Sequence, residues 1–321
     1  MKLRRLAGLL LILFSQALAA DSIAFIADLN GRYGSAAYDP RIDTAVEVIT
    51  GLRPDLVICA GDMVAGQKQP QLDSDRLDRM WRAFSDTVAD PLLKAGIPLA
   101  VTAGNHDGSA FSEFALERER FEAQWGARTP ELDILPGSEW PRRYAARMGE
   151  LLLVAFDGTR PGRLPDDERL FVERMLQSYG AAATATVVFS HLPMWPLTRG
   201  REHDIIDDPD LLALLHRHGV DVYASGHHHA FFAGLDEAGM VHLGVGALGG
   251  NARAFSGTGS RQPFSFALLN LEGDEISVTS LAAPDFRDPV PVAQLPATVS
   301  GPLGTLRRLE GPARLRYPAA P

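Results

Sequence analysis

The chain holds a single cysteine, Cys59, so no intramolecular disulfide can form. Cys59 sits inside the apolar run Leu56-Val57-Ile58-Cys59-Ala60 and is read as a packed thiol in a buried strand, not a nucleophile. Positive charge is also short: 31 Lys and Arg against 40 Asp and Glu leave a formal charge of −9. Polynucleotides demand Lys and Arg to displace phosphate counterions, so no nucleic acid partner is expected. A small phosphorylated substrate held through metal is compatible with that charge. Long apolar runs are missing beyond the first residues. There, Lys2, Arg4 and Arg5 precede an apolar core from Leu6 to Phe14 and the small-residue pattern Ala17-Leu18-Ala19. That core is shorter than the roughly 20 residues a bilayer requires, and it reads as a signal peptide cleaved after Ala19 or Ala20. The alternative is a retained N-terminal anchor. Cleavage would take the formal charge from −9 to −12 by removing Lys2, Arg4 and Arg5. The mature chain is then periplasmic or secreted and carries no membrane span.

After this leader, short apolar runs alternate with segments of helical spacing. Strands are predicted over 22–27, 55–60 and 97–103, with helices over 43–52 and 75–95, the second interrupted near Pro91. Further strands over 151–156, 184–190 and 220–224 are separated by helices over 167–179 and 210–218. This alternation argues for parallel βαβ units. Residues 108–148 break the rhythm with a helix over 111–125 and a Pro- and Arg-containing loop, read as an insertion: a lid facing substrate, or a surface elaboration. From Phe231, runs over 231–235, 240–245, 264–271 and 275–281 predict a second, mixed or antiparallel sheet stacked on the first. From Ala283 onward Pro, Arg and Ala dominate, and an extended, partly mobile tail is expected.

Five short motifs close the apolar runs in order: Asp28-Leu29-Asn30, Gly61-Asp62, Gly104-Asn105-His106-Asp107, Ser190-His191 and Gly226-His227-His228-His229. A strand that ends in a ligand delivers it to one edge of a parallel sheet. Asp, Asn and His together suit a hard or borderline divalent cation such as Mn, Fe or Zn, with Mg less suited. A carboxylate bridges two cations where a neutral amide does so poorly, which makes Asp62 the candidate bridge. Asp28, Asn30 and His229 would hold one ion, and Asn105, His191 and His227 the other. Asp28 and Asn30, two apart on an extended segment, point to the same side. Two ions about 3.5–4 Å apart would polarise a phosphoryl group and supply a hydroxide for in-line attack. His106, free of ligation, would stabilise the phosphorane oxygens or protonate the leaving group. Asp107 would orient it, or cap the helix starting near Phe111.

The order D-x-(H/N), G-D, G-N-H-(D/E), H, G-H-x-H resembles the calcineurin-like metallophosphoesterase superfamily, over Ile23 to about Leu281. The resemblance implies an α/β (α+β) fold, a two-sheet β sandwich flanked by helices. It also implies a dinuclear centre and hydrolysis of a phosphomonoester or phosphodiester. On the family pattern Asp28 and His229 bind the first ion, Asp62 bridges, Asn105, His191 and His227 bind the second, and His106 acts in catalysis. The chain departs from the commonest form in having Asn30 where His is usual, a weaker and neutral ligand. It also lacks the Tyr that purple acid phosphatases carry just after their Gly-Asp motif. The expected organisation is a signal peptide over 1–20, a metallophosphoesterase domain over 21–285 and a Pro-rich tail over 286–321. Asn30 motivates the competing expectation, a family member that binds metal or ligand without turnover.

Other residues carry weaker signals. His228 lies between two ligand positions with its ring expected to point away, and His203, His216, His218 and His242 are read as surface or packing residues. Arg32, Arg199, Arg201 and Arg253 are candidate phosphate clamps, since guanidinium matches phosphate geometry. Tyr33 either approaches the site or packs within its loop. Gly244–Gly249 matches a dinucleotide fingerprint literally, but no helix follows it and that reading is rejected.

Overall fold

The computed structural model describes residues 21–128, 131–258 and 261–316, so the signal peptide expected over 1–20 lies outside the described residues. The chain begins with β1 (Asp21–Ile26), α1 (Pro40–Leu52), β2 (Leu56–Cys59), α2 (Ser74–Phe84), α3 (Asp90–Lys94), β3 (Leu99–Val101), α4 (Asn105–Gly108) and α5 (Ala115–Gly126). It continues through β4 (Asp133–Ile134), β5 (Tyr144–Met148), β6 (Leu151–Ala155), α6 (Asp166–Tyr179), β7 (Ala185–Phe189), α7 (Pro209–Arg217) and β8 (Val222–Ser225). The C-terminal part adds β9 (Phe232–Leu235), β10 (Val241–Gly244), β11 (Ser265–Glu272), β12 (Glu275–Ala282), β13 (Asp288–Pro289), β14 (Thr298–Gly301), β15 (Gly304–Arg308) and β16 (Ala313–Arg314).

These strands form two mixed sheets. The first has the order β13-β12-β11-β1-β2-β3, with β16 added beside β12, and the second β14-β15-β9-β10-β8-β7-β6-β5-β4. β1, β2 and β3 run parallel, as do β6, β7 and β8. The alternation of side chains along a strand explains the layering. Ile23, Phe25, Ala27, Leu56 and Ile58 face the interior between the sheets, where they join Val187, Phe189, Val222 and Ala224. The intervening Ala24, Ile26, Val57 and Cys59 face Ile42, Val46 and Ile49 of α1 and Trp81 and Phe84 of α2. Cys59 is thus a fully buried thiol, as expected, and burial pushes its pKa well up. The apolar residues of α6 and α7 belong to the same hydrophobic cluster as the second sheet.

Helix starts follow the caps. The carboxylates of Asp39, Asp73 and Asp208 each accept a backbone N–H of the first turn, and Pro40 and Pro209 sit where no N–H is required. The break expected near Pro91 takes the form of a π-turn over Ser85–Ala89, after which the helical path resumes. A wide turn suits a residue that has no N–H to donate.

Two expectations are corrected. The strands after Phe231 do not build a sheet of their own. β11 and β12 extend the first sheet from β1, whereas β9 and β10 join the second beside β8. The stretch from Ala283, expected as an extended and partly mobile tail, places strands in both sheets: β15 pairs with β9, and β16 with β12. Its Leu295, Val299, Leu306, Ala313 and Leu315 are buried in the inter-sheet core. Short strands with few apolar anchors, set among Pro-containing connections, show little periodicity, which hides them from a pattern reading. Leu306→Ala should therefore lower unfolding free energy by about 2–5 kcal/mol, read by urea denaturation; a shift within error would place residues 286–316 outside the cooperative fold.

Candidate metal centre

The parallel strands of the two sheets end at a common edge. Asp28 and Asp62 follow β1 and β2, Asn105 opens α4 after β3, and His191 and His227 follow β7 and β8. Bonds across this edge lock it: the His227 N–H donates to Asp28 Oδ2 (3.0 Å), and Leu29 N–H to the Asp62 carbonyl (2.9 Å). Close backbone approach requires the glycines of the motifs. A Cβ on Gly104 would lie 2.1 Å from Asp62 N and 2.2 Å from its Oδ1. Asp28, Asp62, His227 and His229 all adopt left-handed backbone, with φ of 54°, 57°, 64° and 52°. Each such residue costs about 1–3 kcal/mol, and strain of this kind gathers at functional sites. The extended run expected through Asp28-Leu29-Asn30 is accordingly kinked at Asp28, although Asn30 still lines the cleft.

Hydrogen bonding decides which atoms face inward. A carbonyl oxygen only accepts, so each imidazole nitrogen beside one must carry the proton. His191 Nδ1 donates to the Ala60 carbonyl (2.8 Å) and His229 Nδ1 to the Asn251 carbonyl (2.7 Å). Their Nε2 atoms then point at the site's oxygens. His191 Nε2 is 3.4 Å from Asp62 Oδ1 and 3.0 Å from Asn105 Oδ1; His229 Nε2 is 3.1 Å from Asp28 Oδ1. His227 Nδ1 lies 3.2 Å from His191 Nε2. Metal-binding histidines are oriented by backbone carbonyls in this way. Asp62, His191 and His227 each offer an atom within 4.8 Å of the others.

The electrostatics match. Burial works against charge on Asp62, yet His191 and His106 outweigh it and hold the carboxylate well below its usual pKa. His229 does the same for the buried Asp28. Burial likewise opposes charge on His191, but Asp62 and Asp28 override it and raise its pKa to about 9. For His227 burial prevails, and its pKa falls to about 4. Two buried anions facing inward-pointing imidazole Nε2 atoms, whose protons a metal ion would displace, form a donor set that fits divalent cations.

A family model described as calcineurin-like phosphoesterase matches residues 22–231. The chain belongs to the calcineurin-like phosphoesterase family. No curated protein sequence matches this phosphoesterase. Its fold is similar to purple acid phosphatase PPD1 from yellow lupin (Lupinus luteus) seeds, at 13% identity and a TM-score of 0.61, covering 82% of this chain and 52% of the lupin protein. The chain thus spans about half the length of that relative. A dimetal phosphatase from Danio rerio is similar at 17% identity and a TM-score of 0.56, over 81% of this chain and 96% of its own. GAP50, the anchor in the inner membrane complex of Plasmodium, is similar at 14% identity and a TM-score of 0.55, over 82% and 84%. At these identities the likeness concerns the fold.

In the phosphoesterase, His106 stands at the rim of the cleft. Its Nδ1 donates to the Gly66 carbonyl (2.9 Å), leaving Nε2 3.8 Å from Asp62 Oδ2. Asp107 does not orient that ring. Its buried carboxylate accepts the N–H groups of Val64 (2.8 Å) and Gly104 (2.9 Å), so it caps α4 and ties two site loops together. The expected orienting role passes to the Gly66 carbonyl. Arg32, Arg201, Arg253 and Tyr33 line the cleft, whose volume is about 510 Å³. Arg199 is not in this lining and instead donates to the Thr258 carbonyl (2.7 Å). His216 and His242 both bond Asp236, at 2.7 and 3.0 Å, away from the site. The glycines after β10 open no helix; Gly249 and Gly250 donate to the Asp28 carbonyl. Residues missed in the sequence are Gln67, whose Oε1 accepts from Asn105 Nδ2 (2.8 Å), and Asp204, 3.8 Å from His227 Nε2. Neither lies in a motif, and carbonyl partners such as Ala60 and Asn251 have no sequence signature at all.

His228 does point away. Its Nδ1 accepts the Leu197 N–H (3.0 Å) and its Nε2 donates to the Asp204 carbonyl (3.1 Å), while burial drives its pKa down to about 3. His228→Leu strands two buried backbone groups and should cost about 1–3 kcal/mol of stability. Equilibrium denaturation checks this, and unchanged stability would mean those groups find other partners.

Proposed function

We propose that this phosphoesterase is an exported hydrolase that holds two divalent ions, Mn, Fe or Zn, and cleaves a small phosphomonoester or phosphodiester. The observation that carries the reading is the inward convergence of Asp28, Asp62, Asn105, His191, His227 and His229 donor atoms on one edge of the sandwich. Asp28 and His229, with Asn30 on the same wall, would hold one ion, Asn105, His191 and His227 would hold the other, and Asp62 would be shared. Bound cations supply Lewis-acid polarisation of the phosphoryl group and lower the pKa of an attacking water. The protein's own residues do the rest. His106 presents Nε2 because Nδ1 is committed to Gly66; protonated, it donates to a phosphoryl or leaving oxygen. Arg32, Arg201 and Arg253 surround that position with positive charge. Export rests on the leader's charged start, apolar core and small-residue end.

The competing reading, binding without turnover, draws on the likeness to a protein described as an anchor. The placement of His106 beside Asp62, facing an open cleft, favours turnover. The test is hydrolysis of bis(p-nitrophenyl) phosphate and p-nitrophenyl phosphate by the metal-reconstituted mature chain. Asp62→Asn should abolish metal-dependent turnover of the preferred ester. His106→Ala should lower turnover by about 10²–10⁴-fold while metal content is unchanged. Full activity in His106→Ala would remove that side chain from the mechanism. Metal-loaded protein inert toward both esters would favour binding without turnover.

A further inference from the structure

The loop Gly66-Gln67 touches both neighbours in the Asn105-His106 pair. Asn105 can offer a cation only its amide oxygen, and the amide could equally present its NH2 if rotated by half a turn. What fixes it is Gln67, whose Oε1 accepts from Asn105 Nδ2 at 2.8 Å and thereby turns Asn105 Oδ1 toward His191 Nε2. Gln67 has its own amide oriented by Nε2–H donation to Ser109 Oγ (3.2 Å), and it holds a left-handed backbone with φ of 58°. Its N–H donates to both carboxylate oxygens of Glu117, at 2.9 Å each. Glu117 is a buried residue of α5, within the 108–148 segment. The preceding Gly66 accepts His106 Nδ1–H and donates its N–H to the His106 carbonyl (3.1 Å). A Cβ at Gly66 would fall 2.2 Å from that carbonyl oxygen and 2.7 Å from Glu117 Oε2, so no larger residue fits between them.

We infer that Gln67 and Glu117 are positioning residues for the metal centre: Glu117 anchors the Gly66-Gln67 loop, and Gln67 sets the amide of Asn105. This rests on the reading of Asn105 as a metal donor. It gives part of the 108–148 segment a role as a buttress behind the site. Partners one shell behind a metal donor are worth about 10–100-fold in metal affinity.

The experiment is calorimetric titration of Mn²⁺ into the chelator-treated full chain and its variants, with thermal unfolding of each metal-free protein as a folding control. Gln67→Leu should weaken binding at one site by about 10–100-fold. It should add no further loss in an Asn105→Ala background, because the two act through one interaction. Gln67→Glu keeps an acceptor for Asn105 Nδ2 and should restore most of the affinity. Glu117→Gln, a milder change that weakens the anchor, should lose affinity in the same direction. Unchanged affinity in Gln67→Leu, with Asn105→Ala impaired, would overturn the positioning role. An equal loss in both backgrounds would also overturn it, since Gln67 would then act by another route. Unchanged affinity in Asn105→Ala would instead remove Asn105 from the donor set, and the inference with it.

Discussion

Two carboxylates, Asp28 and Asp62, sit almost without solvent at the ends of adjacent parallel strands, and the rest of the site answers to that placement. Burying an ionised carboxylate costs several kcal/mol unless opposite charge and hydrogen bonds offset it. Around this pair the chain supplies backbone N–H donors from His106 and His227 and the rings of His191, His106 and His229. A divalent cation completes such a set more fully than protons on imidazole, because it meets several lone pairs at once. The left-handed backbone at four of the donor-bearing residues is the conformational cost of aiming them at a shared point.

The sandwich makes that aim possible. Three parallel strands in one sheet and four in the other end at the same edge, so residues far apart in sequence arrive together: His227 meets Asp28, and His191 meets Ala60. The C-terminal strands do not contribute donors. They widen both sheets and close the core, with β15 beside β9 and β11 beside β1. A large α/β domain can thus devote one edge to chemistry while its other edges carry stability.

Much of this was legible in the sequence. β1, β2, β3, β7 and β8 are short, strongly apolar runs, and each ends in a residue that an ordinary core would not place there. That combination located Asp28, Asp62, Asn105, His191 and His227. Asp107 was open between orienting His106 and capping the helix expected near Phe111; it does neither, and its carboxylate instead bonds Val64 and Gly104 at the start of α4. Gln67 and Glu117 were invisible because an isolated polar side chain in a loop or on a helix looks like a solvated one. The strands after Ala283 were missed for the opposite reason: their Pro and Arg content resembles a tail, and only tertiary pairing makes them strands.

The central claim is that the strand-end donors hold two cations around Asp62. Anomalous diffraction from Mn-loaded crystals, collected across the manganese edge with a metal count per chain, tests it most directly. The account predicts two peaks about 3.5–4 Å apart, one on either side of the Asp62 carboxylate. A single peak, or ions bound away from Asp62, would contradict it.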